Sequence, residues 1–195
     1  MRKLILILVC SLALSGLAAA DVVNGGFETG DLTGWTQGGD TSFSFVSTGT
    51  FTEFHPHSGT YAFFLGPVDS DGSISQSIAT TPGQSYDISF WLANLDQEND
   101  NDFSAYFDGN QLLSLSDYDP HFRYQHFTYT IVASGTSANV EFDGFNFDSY
   151  WALDDISVTP TPQNAVPEPA SMMLLGSGLV GIAGMGRKLK ARLIS

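Results

Sequence analysis

Hydrophobic and polar residues alternate along much of the chain between residues 21 and 158. The alternation is clearest in segments 86–92 and 127–131, and helical periodicity is hard to find. A period of two is typical of β-strands that bury one face. The pattern therefore predicts about nine or ten short strands, separated by turns rich in Gly, Pro, Asn and Asp.

One hairpin can be predicted in detail. Residues 103–107 and 111–115 flank the sequence Asp108-Gly109-Asn110, and an Asp-Gly turn between alternating segments favours a tight hairpin. Evenly spaced short strands indicate an all-β fold, so we predict a jelly-roll or β-sandwich domain over residues 21–159. Trp35 and Trp151 are expected in its core.

The first 20 residues have the three parts of a secretory signal peptide. Arg2 and Lys3 precede an apolar run, which ends at Ala18-Ala19-Ala20. We expect cleavage after Ala20, with Ala18 and Ala20 as the small residues of the cleavage site. A membrane anchor is the alternative, although the run is short. Because the single cysteine, Cys10, leaves with this peptide, disulfides and thiolate chemistry are excluded from the mature protein.

A second apolar stretch, residues 170–186, carries no charge and follows an extended linker at 160–165. As a helix it would be about 25 Å long, slightly shorter than the hydrocarbon core of a bilayer. The basic tail 187–192 follows immediately, which predicts a transmembrane helix whose end stays cytoplasmic. A buried core helix is the alternative.

The sequence Pro167-Glu168-Pro169 stands just before this stretch. A Pro-Glu-Pro motif, a glycine-rich apolar helix and a basic tail together resemble the PEP-CTERM sorting signal, here over residues 166–192. That signal is found on exported proteins of Gram-negative bacteria that make exopolysaccharide. The resemblance implies that Pro167, Glu168 and Pro169 are recognised by an exosortase, which cuts nearby and releases or transfers the ectodomain to the cell surface. Flanking prolines also keep Glu168 extended, as protease recognition requires.

Charge is distributed unevenly. The chain of 195 residues has 21 acidic and 7 basic residues, and its net charge is −14. Segment 21–168 holds all 21 acids and one base, Arg123, which leaves −20 for this segment. Such a surface repels phosphate backbones, which excludes nucleic acid as a partner. Hydrophobic residues at 43% provide enough apolar material for a core.

Short motifs suggest a second resemblance. The sequences are Asn24-Gly25-Gly26-Phe27-Glu28, Gly34-Trp35, Ser58-Gly59-Thr60-Tyr61-Ala62 and Leu153-Asp154-Asp155-Ile156-Ser157-Val158. They resemble the galactose-binding-like jelly roll of carbohydrate-binding modules attached to xylanases and cellulases. That resemblance implies a structural calcium, bound by carboxylates of Glu28 and Asp154 and by a backbone carbonyl of the Gly59 turn. Calcium prefers such hard oxygen ligands.

The alternative to calcium is that Glu28 and Asp155 are solvated and that Asp154 caps a turn. Strand alternation predicts that Asp154 shares a face with Ile156 and Val158, and that Asp155 points to the opposite face. A second calcium site in the acidic segment 94–102 is less favoured than a solvated loop.

Ligand binding would require accessible aromatic side chains. Trp91 and Tyr106 are out of step with their core-facing neighbours, and Tyr118, Arg123 and Tyr124 lie in or near a loop. Sugar rings stack on Trp and Tyr, and polar side chains bind their hydroxyl groups. We therefore consider these five residues as candidates for ligand binding, the alternative for each being ordinary packing or surface.

No catalytic motif is recognisable, and His55-Pro56-His57 lacks further metal ligands. We therefore expect a non-enzymatic protein, exported through the inner membrane, anchored there and then placed at the cell surface or outside the cell. Its sandwich would contribute to an exopolysaccharide matrix or biofilm. The alternatives are a carbohydrate-binding module with a defined glycan ligand and an unrecognised polysaccharide hydrolase.

Overall fold

A computed structural model describes residues 21–50, 55–95, 100–116 and 121–162. The predicted signal peptide, C-terminal helix and sorting signal lie outside these residues. The chain divides after Thr161, and of the second unit, Pro162–Ser195, only Pro162 is described. Within the four described ranges, no helix is long and apolar enough to cross a membrane.

The described residues form ten strands. In chain order they are β1 (Thr36–Gly39), β2 (Phe45–Ser47), β3 (Ala62–Leu65), β4 (Gly72–Ala79), β5 (Ser85–Asn94), β6 (Asn101–Phe107), β7 (Asn110–Ser116), β8 (Phe122–Val132), β9 (Ser137–Asn146) and β10 (Trp151–Pro160). Sheet 1 has the order β1-β4-β9-β6-β7, and sheet 2 has the order β2-β3-β10-β5-β8. Every pairing is antiparallel. The predicted all-β sandwich is confirmed.

The core lies between the two sheets and is filled by the inward positions of alternating strands. The predicted inward residues of β5 are completely buried, and Trp35 and Trp151 are buried as predicted. Phe90 of sheet 2 and Phe142 of sheet 1 meet edge to face, with ring centroids 5.0 Å apart. Aromatic contacts of this kind join the two sheets and add to the hydrophobic stabilisation of burial.

The hairpin between β6 and β7 also has the predicted form. Its turn residues, Asp108 and Gly109, have φ angles of 51° and 75°. Positive φ at both central positions is what a tight hairpin turn requires, and Asp-Gly tolerates it. The hairpin places Tyr106 and Gln111 opposite each other on sheet 1.

A β-bulge interrupts β10, the central strand of sheet 2. Its register against β5 shifts between Asp154 and Ser157, and Asp155 has a φ of 49°. Leu153 pairs with the core residue Leu92, so Asp154, beside Trp91, faces the outer side of sheet 2. The prediction that Asp154 shares a face with Ile156 and Val158 is therefore wrong, because the extra residue of a bulge reverses the alternation.

The outer faces of the two sheets differ. On sheet 2, a second hydrophobic cluster covers part of the outer face, built from Ala62, Phe64, Ala93, Leu95 and Ala152 and packed against Phe45, Tyr124 and Tyr150. On sheet 1, the outward residues of β4, β6 and β9 are partly or fully exposed. We call this outer side of sheet 1 the open face.

Candidate functional site

Several predicted site residues come together on the outer side of sheet 2, where the turn at residues 57–60 lies against the bulge of β10. We call this group the turn cluster; its members are Glu28, His57, Ser58, Gly59, Trp91, Tyr124, Asp154 and Asp155. Asp154 faces this turn because it alternates with the core residue Leu153, and the bulge that follows brings Asp155 to the same turn.

Asp154 is completely buried in the turn cluster. Its Oδ2 accepts a hydrogen bond from the backbone N–H of Ser58 at 3.1 Å, and its Oδ1 accepts one from the N–H of Asp155 at 2.7 Å. Burial raises the pKa of the Asp154 carboxyl to about 7, although the hydrogen bond from Ser58 partly opposes this shift.

Asp155 joins the same turn. Its Oδ2 lies 2.6 Å from Nδ1 of His57, and its Oδ1 accepts a hydrogen bond from the Ser58 hydroxyl at 2.8 Å. Both neighbouring carboxylates thus contact Ser58. The prediction that Asp154 and Asp155 point to opposite faces is wrong for the same reason as above, since the bulge rotates Asp155 out of the regular strand.

Glu28 stabilises the other side of this turn through hydrogen bonds. Its Oε1 accepts hydrogen bonds from the N–H groups of Thr60 and Tyr61 at 2.9 and 3.0 Å. Gly59 has a φ of 61°, and a Cβ there would lie 2.3 Å from Oε1 of Glu28. Only glycine therefore allows Glu28 to approach the turn so closely.

The three predicted calcium ligands, Glu28, Gly59 and Asp154, consequently lie together at one turn, to which Gly59 itself belongs. Carboxylates and a backbone carbonyl suit calcium chemically, and the buried charge of Asp154 would gain a counter-ion. In the part of the chain that the structure describes, however, no group of three His, Cys, Asp or Glu side chains is placed to hold a metal ion. Calcium binding stays a prediction.

Trp91 is already stacked within the turn cluster. The ring of His57 lies nearly parallel to the indole with centroids 3.7 Å apart, and His126 stacks on it at 4.8 Å. Trp91 therefore packs the turn against β5 rather than presenting a bare ring to solvent. The sequence offered little sign of these imidazole contacts, because His57 and Trp91 are far apart in the chain.

The other predicted ligand residues of this region lie in different environments. Tyr124 packs against the second hydrophobic cluster, and burial, followed by the charges of Asp154 and Asp155, raises the pKa of its phenol. Arg123 is exposed on β8, the edge strand of sheet 2. Tyr118 lies outside the described residues.

Tyr106 lies on the open face of sheet 1. Cross-strand neighbours form two outward rows there: Ser73, Asp143, Ser104 and Ser114 in one, and Ser75, Glu141, Tyr106 and Gln111 in the other. The Gln111 side-chain amide lies 3.4 Å from the Tyr106 hydroxyl and 3.4 Å from the Ser104 hydroxyl. Tyr106 is thus separated from Trp91 by the whole sandwich.

Carboxylates crowd the middle of the open face. Partial burial raises the pKa of Asp143 to about 6, and the nearby charges of Asp71, Glu141 and Asp102 contribute in the same direction. Serine hydroxyls and the Gln111 amide surround this acidic centre. The face therefore offers many hydrogen-bonding groups beside one accessible phenol ring.

Residues 165–188 match the PEP-CTERM protein-sorting motif. The predicted resemblance of residues 166–192 to this signal is confirmed. Processing at Pro167, Glu168 and Pro169 and signal cleavage at Ala18 and Ala20 stay predictions. A comparison with curated protein sequences gives no significant match.

The sandwich is similar to several solved structures. TmCBM61, solved in complex with β-1,4-galactotriose, has 19% identity and a TM-score of 0.56, over 72% of this chain and 99% of that one. The CBM22-1 xylan-binding domain of Paenibacillus barcinonensis Xyn10C has 14% identity and a TM-score of 0.51, over 76% and 99%. A cyclase from Fischerella sp. TAU has 15% identity and a TM-score of 0.55, over 75% and 99%. These similarities show the predicted fold, and a shared fold does not decide the activity.

Calcium binding predicts a change in thermal stability. Calcium should raise the Tm of the full chain at pH 7.5 and a chelator should lower it, since an ion that binds the folded state stabilises it by ~2.7 kcal/mol at about 100 times its Kd. Glu28→Gln should remove most of the shift, whereas Glu141→Gln, on the open face, should keep it. If neither calcium nor the chelator changed the Tm, the predicted calcium site would be excluded.

The raised pKa of Asp154 predicts how stability depends on pH in the absence of calcium. Between the ordinary pKa of an aspartate, near 4, and about 7, the folded state holds a proton that the unfolded state releases. Lowering the pH from 8 to 5 should therefore increase the unfolding free energy through Asp154, and Asp154→Asn should lose this increment in urea titrations. The exposed Asp69→Asn serves as the control. Equal pH dependence of the wild type and Asp154→Asn would contradict the burial effect.

Proposed function

We propose that this chain is an exported bacterial protein, sorted through its C-terminal Pro-Glu-Pro signal, whose β-sandwich binds polysaccharide at or beyond the cell surface without cleaving it. The match of residues 165–188 to the PEP-CTERM motif supports the export and the exosortase partner. The polysaccharide role rests on one observation of the sandwich itself, which is the open face of sheet 1.

The open face has the dimensions and the chemistry of a glycan platform. Five strands at a spacing of ~4.8 Å make it about 19 Å wide, which is enough for several sugar residues. Its hydroxyl, amide and carboxylate groups can bind sugar hydroxyls, and Tyr106 offers a ring for stacking. The turn cluster is less suitable, because His57 and His126 already stack on Trp91.

The hydrolase alternative has one specific group to act through. Asp143, with its raised pKa beside Glu141, could protonate a leaving group. The face around it is open rather than enclosed, and an enzyme gains much of its advantage by excluding water. We therefore favour binding, and the experiment below also measures reducing-sugar release.

Polysaccharide binding predicts retention of the full chain on insoluble or gel-embedded glycans. We suggest β-1,4-galactan and xylan as first probes, because structurally similar modules are described with these sugars. Tyr106→Ala should weaken binding about tenfold, equivalent to ~1.4 kcal/mol, while Thr128→Ala on sheet 2 should not. If the protein bound no glycan on a wider array, this result would contradict polysaccharide binding and favour a purely structural matrix role. Sugar release lost in Asp143→Asn would indicate the hydrolase.

Sorting predicts dependence on the Pro-Glu-Pro residues. In a host that carries an exosortase, replacing Pro167, Glu168 and Pro169 by alanine should leave the C-terminal segment attached, as followed by mass spectrometry of the exported protein. Gln163→Ala, in the predicted linker, should be processed normally. If the triple variant were processed like the wild type, the assigned recognition residues would be wrong.

A further inference from the structure

A pocket of about 210 Å³ lies at one end of the sandwich. It is lined by Phe43, Gly66, Val68, Phe147, Asp148, Ser149 and Tyr150. The volume is below the roughly 300–1,000 Å³ of drug-sized sites, so the pocket suits a single ring. We call it the end pocket.

Two phenylalanines that line this pocket are more than half exposed. Phe43 is 57% exposed and Phe147 is 51% exposed. Exposed apolar side chains that stand singly need no explanation, but two aromatic rings lining one cavity are typical of a binding site. Phe43 also has a φ of 54°, which is unfavourable for a bulky residue and is held only where the surrounding structure imposes it.

Hydrogen bonds hold the loops that carry the pocket. Asp40 donates its N–H to the carbonyl of Asp71 at 3.0 Å, which ties the loop of Phe43 to the start of β4. Phe147 donates to the carbonyl of Asp100 at 3.1 Å, and Ser149 donates to Oδ1 of Asn146 at 2.9 Å. A site built in this way before binding loses little conformational entropy when a ligand arrives.

The base of the pocket is also fixed. A Cβ at Gly66 would lie 2.6 Å from the ring of Tyr150 and 2.8 Å from the carbonyl oxygen of Ser149, so glycine is required there. Tyr150 packs edge-on against Phe45 and Phe64, with centroids 5.7 and 6.2 Å away. The pocket therefore combines a rigid, largely apolar base with an exposed acidic residue, Asp148, in its lining.

This combination matches the chemistry of a sugar ring, which has an apolar C–H face and hydroxyl groups at its edge. Phenylalanine rings can contact that face, and Asp148 and Ser149 can bind hydroxyls. A purely apolar ligand would leave the carboxylate without a partner from the ligand.

The position of the pocket relates it to the open face. Glu141, Asp143 and Phe145 are successive outward residues of β9, and Phe147 continues the same alternation just beyond the end of the strand. The path from Glu141 to Phe147 is about 20 Å at ~3.3 Å per residue. A glycan that lies along β9 would thus reach the pocket by turning over the end of the sandwich at Phe147, because Tyr150 at the base of the pocket packs on the outer side of sheet 2.

We infer that the end pocket binds the terminal sugar of a glycan chain whose following residues lie along β9 on the open face. This inference rests on the proposed function and adds to it, because it assigns chain ends rather than chain interiors as the preferred target. The selective element is the pair Phe43 and Phe147 with Asp148.

The test uses the full chain in a detergent without sugar groups, with β-1,4-galacto- and β-1,4-xylo-oligosaccharides of one to six residues as probes. Each probe is also prepared with its non-reducing end methylated or its reducing end reduced to the alditol. Calorimetry should show that blocking one of the two ends weakens binding at least tenfold. Phe43→Ala and Phe147→Ala should weaken binding of the free oligosaccharides to the same extent and abolish the effect of blocking. Val132→Ala, a matched exposed apolar residue at 58% exposure, should change nothing.

Methyl β-galactopyranoside and methyl β-xylopyranoside provide a direct readout of the pocket. At least one of them should shift the amide NMR signals of Gly66 and Ser149 in the wild type, and Phe147→Ala should lose the shift. Suppose that polymer binding requires Tyr106 but is unchanged by blocking either chain end and by Phe43→Ala and Phe147→Ala. That result would overturn this inference and leave the proposed function intact. Absence of polymer binding in the wild type would overturn both.

Discussion

The bulge in β10 is the constraint on which the outer side of sheet 2 depends. Alternation with Leu153 turns the Asp154 carboxylate outward beneath the turn at residues 57–60, and the extra residue brings Asp155 to the same turn while it returns Ile156 to the core. Hydrogen bonds then join this turn to Asp154 and to Glu28, and His57 of the turn stacks on the ring of Trp91. Without the bulge, regular alternation from Leu153 would direct Asp155 into the core in place of Ile156, where no partner could compensate its charge.

The sandwich therefore has two outer faces with different roles. On sheet 2, aromatic and imidazole rings pack on one another, and a second hydrophobic cluster seals part of the surface. On sheet 1, serines occupy the outward positions 73, 75 and 77 of β4, and the outward residues of β6 and β9 are partly or fully exposed. The groups that we propose for ligand binding thus lie on sheet 1 and at the end of the sandwich, whereas the outer side of sheet 2 is largely occupied by packing within the protein.

Alternation was sufficient to predict the fold, the core tryptophans and the hairpin turn at Asp108-Gly109, because each depends on neighbours in sequence. It failed at Asp154 and Asp155, where a bulge leaves no mark in a pattern of period two. It also suggested Trp91 as a ligand residue, since alternation tells which face a residue occupies but not that His57, from a distant turn, stacks there. The end pocket escaped prediction for a related reason: Phe43, Gly66 and Phe147 come from three loops that only the folded topology brings together.

The last strand, β10, determines how the chain leaves the sandwich. β10 pairs with β3 on one side and β5 on the other, and Thr161, just after its end, still donates its N–H to the carbonyl of Ser85 at 2.8 Å. Near its end, β10 pairs with β5 at residues 157–160, beyond its pairs with β3 at residues 151–153. A pull applied beyond Thr161, as a tether under flow would exert, runs along the strand and loads many hydrogen bonds at once in shear. A load shared among several hydrogen bonds in shear opposes strand separation more strongly than a load that breaks one bond at a time.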